Sequence, residues 1–300
     1  MESTGVGPPE LALEPVPLSR VRALAGGPAH AWIAPTRASF GAAILPIAIL
    51  FWAIVIPPLR PAALALAVVG FLVHRRRGSP AAWSWAATVP VATIITWRLI
   101  PAAEGLPFAA SCADPLSPPM LWRVAELALV VAVVTLLGRQ LGARRSDLPL
   151  ERPDRWLLGL AVAAAFVIAP VALLVGEEAA RPFFGPVRLH TTLAGAIAPA
   201  LVFAIANATL EETVYRGVLL SWTERHIGTI GAIMVQAAAF GLGHLGPDFI
   251  SSPLPVVGSM FAMGALGGLI VKRTGSLLVP IVIHAAFDIP LYYNLACRLS

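Results

Sequence analysis

Apolar residues in this chain do not alternate, nor do they recur every third or fourth position. They run on continuously, near 38–57, 59–73, 81–102, 120–138, 156–175, 194–221, 228–249, 255–271 and 276–295, with short polar or Pro- and Gly-bearing breaks between. A helix crossing the hydrocarbon core needs about 20 residues. Only a helix satisfies its own backbone over such lengths in lipid. The pattern predicts an all-α fold: a polytopic transmembrane helical bundle of eight or nine spans, the short 59–73 run deciding between the two numbers. No internal repeat stands out.

The runs also divide the chain. Residues 1–37 hold six prolines and no periodicity, which predicts a mobile N-terminal tail. They lack the basic start and apolar stretch of a secretory leader. Residues 38–189 form a first group of transmembrane helices, and 190–297 a second, where polar residues gather inside the apolar runs.

Composition narrows the class. Of 300 residues, 58% are hydrophobic and only 12% charged, about half the charged share of a soluble protein. Mean hydropathy is +0.80. These values exclude a disordered chain, a collagen-like fibre and a disulfide scaffold, and they leave a membrane protein. The net charge of +5 does not indicate nucleic acid, because the arginines cluster between apolar runs with no basic stripe of interleaved aromatics. Arg75–Arg77, the Arg139–Arg155 region, Arg225, and Lys272 with Arg273 alternate with segments poor in positive charge, such as 103–119 and 250–254. By the positive-inside rule the N-terminus lies in the cytoplasm and the protein is a multi-pass component of the cell membrane. The arginine-rich, lysine-poor composition points to a GC-rich bacterial source. Cys112 and Cys297 have no metal-ligand spacing.

Ionisable side chains inside spans each cost roughly 2.5–3.5 kcal/mol on insertion scales, so their positions are informative. In Glu211-Glu212-Thr213-Val214-Tyr215-Arg216, Glu212 and Arg216 stand at i, i+4 and share a helix face. Glu211 is rotated about 100° away and is expected to lack that partner and be free for chemistry. In Phe240-Gly241-Leu242-Gly243-His244, Phe240 and His244 share a face, and the glycines allow another helix to approach closely. In His284-Ala285-Ala286-Phe287-Asp288, His284 and Asp288 share a face and Pro290 follows, where a kink is expected. Counted from the cytoplasmic ends at about 1.5 Å per residue, the three groups can meet near mid-membrane. Two histidines and a carboxylate around a wet cavity would form a general-base site.

These three groups, in this order, resemble the CPBP family of intramembrane proteases, also called the CAAX protease and bacteriocin-processing (Abi) family. Its motifs are Glu-Glu-x-x-x-Arg, Phe-x-x-x-His and His-x-x-x-Asn or Asp. The Gly267–Pro280 stretch before His284 is similar to the family's lead-in. The resemblance covers roughly 190–295 and implies peptide-bond hydrolysis within the membrane. Glu211 and His244 would activate water, His284 and Asp288 would stabilise the oxyanion, and Glu212, Arg216 and Phe240 would support them. It leaves the cofactor open between none and zinc, with Glu211, His244 and His284 as the ligands if a metal is bound. Asp288 differs from asparagine in being unable to donate a hydrogen bond when ionised, so it either stays protonated or orients His284. The implied partners are a peptide or membrane-protein substrate and the lipid bilayer.

Two other functions fit the same runs. One is a non-catalytic membrane scaffold or immunity protein of the same fold. The other is a proton-coupled transporter, which the missing repeat disfavours. Three features read as decoys. Glu177-Glu178…Arg181 is expected in a solvated loop, and Arg123 with Glu126 as an ion pair near the interface. The terminal Cys297-Arg298-Leu299-Ser300 imitates a prenylation box. Trp83, Trp85 and Trp97 are expected in interfacial belts and packing.

Overall fold

A computed structural model describes residues 37–99, 117–175, 178, 194–245 and 253–296. Most of the 1–37 tail, most of the 103–119 and 250–254 segments, Glu177, Arg181, both cysteines and the C-terminal box lie outside the described residues; Glu178 is exposed.

Each apolar run becomes a helix: α1 Arg37–Val55, α2 Arg60–Arg76, α3 Ala82–Trp97, α4 Pro118–Leu141, α5 Arg155–Leu174, α6 Ile197–Glu212, α7 Ser221–Gly243, α8 Pro253–Thr274 and α9 Leu278–Ala296. The ends follow local chemistry. Prolines open α2 and α4, where a missing N–H costs nothing. Asp154 caps α5, accepting from the Trp156 N–H at 3.1 Å. Gly142 closes α4 at φ 66°. Helices α1, α3, α5 and α9 run on through Pro46, Pro90, Pro170 and Pro290.

Among the described residues, five helical stretches are long and apolar enough to cross a membrane: Pro57–Arg76, Pro118–Leu141, Arg155–Leu174, Ala194–Gly243 and Leu254–Thr274. The second apolar run is thus longer than its sequence pattern predicted, because a 3₁₀ turn at Pro57–Leu59 extends it. The Ala194–Gly243 stretch contains a kink at Gly228, where φ 74° and ψ 167° break the helix. That conformation suits glycine. The protein is a multi-pass, all-α membrane bundle. Among the described residues its one β feature is a bridge between Leu150 and Ser276, which ties the α4–α5 connection to the α8–α9 turn.

Burial separates the layers. Only 6% of the α5 window is buried, against 56% for Ala194–Gly243. The α6–α7 unit is the centre: α6 packs on α9 and α4, and α7 on α8 and α1. A Cβ added to Gly241 would meet the Val257 carbonyl oxygen at 2.8 Å, and one on Gly264 would meet Ala237 Cα at 2.9 Å. The α7–α8 contact is therefore held together by small residues, as in other membrane helix pairs. The expectation for Gly243 needs correction, because its close neighbour is the Tyr215 hydroxyl rather than a helix backbone. The tryptophans serve packing: Trp97 stacks on Trp122 at 4.7 Å, and Trp83 meets Trp222 edge-on at 5.6 Å.

Candidate active site

Glu211 and Glu212 end α6, and the chain continues as a π-helical segment, Thr213–Leu220. Such widened turns are rare and frequent at functional sites. Arg216 lies in it, with Glu212 Oε1 3.0 Å from Arg216 Nη1. The guanidinium also lies over the Phe240 ring at 4.3 Å and donates to the Met263 carbonyl at 3.4 Å. A Cβ on Gly267 would come within 3.0 Å of Arg216 Nε. Helix α8 can cross the guanidinium there only because it has no side chain at that point. The predicted i, i+4 pair is present and fully buried.

His284 reaches the same carboxylate from α9. Its Nδ1–H donates to Glu212 Oε1 at 2.8 Å. With Nδ1 so engaged, Nε2 is the nitrogen turned toward Glu211 Oε2 and Asp288 Oδ1, each 3.7 Å away. Both separations exceed a hydrogen bond. His244, just past the end of α7, donates from Nδ1 to the Phe240 carbonyl at 2.7 Å, which leaves Nε2 as the acceptor nitrogen in the neutral ring. The His244 and His284 rings flank Phe240 at 4.7 and 5.9 Å. All seven residues singled out from the motifs thus converge on one buried region.

One expectation requires correction. Glu211 is not free: Arg98, at the end of α3, places Nη2 3.2 Å from Glu211 Oε1. The expectation rested on helix-face geometry within one segment, and the partner comes from the end of another helix. Arg123 and Glu126 do pair, at 2.5 Å, with Glu126 1% exposed.

Sequence reasoning missed two residues. Arg98 falls inside the 81–102 run, so a lone cation in a predicted span was the available signal. Asn207 donates from Nδ2 to Asp288 Oδ2 at 2.9 Å. Its signal was a buried amide one turn before Glu211 in an Ala-rich helix. Asn207 gives Asp288 a fixed orientation beside His284.

The candidate metal ligands do not make a matching set. Among the described residues no three His, Cys, Asp or Glu side chains are grouped to hold a metal ion. One Glu211 oxygen faces a guanidinium, whereas Nδ1 of each histidine is engaged and leaves Nε2 as the donor atom. A cation would have to compete with Arg98 for Glu211.

Residues 193–290 match the family model described as Rce1-like, type II CAAX prenyl endopeptidase. This segment is similar to that family. It contains every motif residue, which upholds the resemblance read from the motifs, and it supports an intramembrane protease. The match spans about a third of the chain and excludes Arg98. Searches among curated proteins and among solved structures return no match.

Proposed function

We propose that the protein is an intramembrane endopeptidase that hydrolyses membrane-associated peptides with a glutamate-activated water. The observation carrying this reading is the meeting of Glu211 Oε2, His284 Nε2 and Asp288 Oδ1 around one point, with His284 and Glu211 drawn from different helices. Burial matters here, because donors and charges act far more strongly where bulk water is excluded.

In the reaction, water enters between Glu211 and His244. Glu211 Oε2 takes one proton while His244 Nε2 orients the oxygen, which adds to the scissile carbonyl carbon. The carbonyl oxygen becomes an oxyanion. His284, doubly protonated and with Nδ1–H given to Glu212, donates to it from Nε2. Glu211 then returns the proton to the leaving amine as the C–N bond breaks, releasing two peptides. Asp288, held by Asn207, orients His284 rather than donating to the oxyanion. Glu212 joins His284 to Arg216 and so keeps the ring in place. The N-terminus lies in the cytoplasm and the chain in the cell membrane.

The test is cleavage by the full chain in proteoliposomes. The substrates are lipid-anchored peptides, some prenylated at a CAAX end and some not, with products read by mass spectrometry. Wild-type cleavage that disappears in Glu211→Gln supports the reading. Cleavage of no member above the level of that variant contradicts it.

A further inference from the structure

The matched segment does not contain all the charge around its own glutamate. Arg98 comes from the first half of the chain. Its Nη2 donates to Glu211 Oε1 at 3.2 Å and its Nη1 donates to the Gly243 carbonyl at 3.4 Å. Gly243 immediately precedes His244, so one guanidinium joins the backbone beside one histidine to the carboxylate. Glu211 is 4% exposed, and an ionised carboxylate buried so deeply requires a partner. The planar fork of arginine suits this task better than a lysine point charge. The contact is also selective, because Arg98 takes Oε1 while Oε2 is the oxygen near His284 Nε2.

We infer that Arg98 is a positioning residue for the reaction: it holds one oxygen of Glu211 and the backbone beside His244, so that the other Glu211 oxygen faces the reacting group. This rests on the reading of Glu211 as the base. It makes α3 part of the working site, which the Rce1-like segment alone leaves incomplete. The side chain of Arg98 is 30% exposed, so the position it would vacate opens onto the protein surface.

That access gives a test that a packing role would not pass. Full-length wild type, Arg98→Ala, Arg98→Lys and Glu211→Gln are compared in proteoliposomes on whichever peptide the wild type cleaves. Arg98→Ala is expected to lower kcat by about 10²-fold, the scale of a misplaced reacting group, with KM little changed. Millimolar methylguanidinium is expected to restore part of the loss in Arg98→Ala and none in Glu211→Gln. Arg98→Lys should fall between Arg98→Ala and wild type. Full activity of Arg98→Ala beside an inactive Glu211→Gln overturns the role of Arg98 and leaves the protease reading intact. A loss that neither methylguanidinium nor lysine relieves also overturns it. Full activity of Glu211→Gln would instead overturn the protease reading itself.

Discussion

Two buried glutamates on one stretch of chain differ in how completely they are satisfied. Glu224, early in α7, has Lys272 Nζ 2.8 Å from Oε1 and 2.9 Å from Oε2, and Thr229 donates to Oε1 as well. Both oxygens are taken by groups on α7 and α8, and nothing chemical is left for them to do. Glu211 has one oxygen on Arg98 and the other 3.7 Å from an imidazole. The first arrangement pins helices; the second keeps an oxygen in reserve. Burial and charge alone therefore do not mark the reacting carboxylate. An oxygen without a hydrogen bond does not mark it either, since Glu126 and Glu212 each keep one; what sets Glu211 apart is the His284 Nε2 that its second oxygen faces at 3.7 Å.

Substitution should separate the two clusters. The largest effect is expected at Glu211. Glu211→Gln preserves shape and should lower kcat by about 10²–10⁴-fold, the range for loss of a general base, with the melting temperature in detergent nearly unchanged. A large fall in that temperature would place Glu211 with Glu224 as a pinning residue.

Next is the fully buried pair of Glu212 and Arg216. Arg216→Ala or Glu212→Gln should cost about 3–5 kcal/mol of stability, because the remaining partner loses its counter-charge inside the bundle. Denaturation in mixed micelles measures this, and an unchanged midpoint would contradict the pairing. Lys272→Met should cost about 2–3 kcal/mol by orphaning Glu224. Here kcat/KM per folded molecule should stay at the wild-type value, and a specific loss of turnover would join the two clusters functionally. The smallest effect is expected at Asp288. Asp288→Asn keeps an acceptor for Asn207 and the orientation of His284, so kcat should change by less than about tenfold, or about 1.4 kcal/mol.

The sequence disclosed what was costly and clustered. Glu211, Glu212, Arg216, His244, His284 and Asp288 each interrupt an apolar run where a polar group needs a reason, and the motif spacing assembled them. Helix positions were also legible, because apolar runs end where arginines, prolines and glycines begin; the 120–138 run became Pro118–Leu141. What escaped was what depends on neighbours from elsewhere in the chain. Arg98 and Asn207 are single polar residues whose partners are 113 and 81 positions away. Their meaning appears only when α3 meets α6 and α6 meets α9. The π-helical segment after Glu212 left no trace of its own in the pattern of apolar positions.

The central claim is that Glu211 and His284, 73 positions apart in sequence, act on the same reacting atoms. A double-mutant cycle on kcat/KM with Glu211→Gln and His284→Gln tests this most directly, since residues that act as a unit lose their effects non-additively. The double variant is expected to be no slower than the slower single variant. Losses that multiply would mean that the two side chains serve separate steps, and would contradict a single shared site.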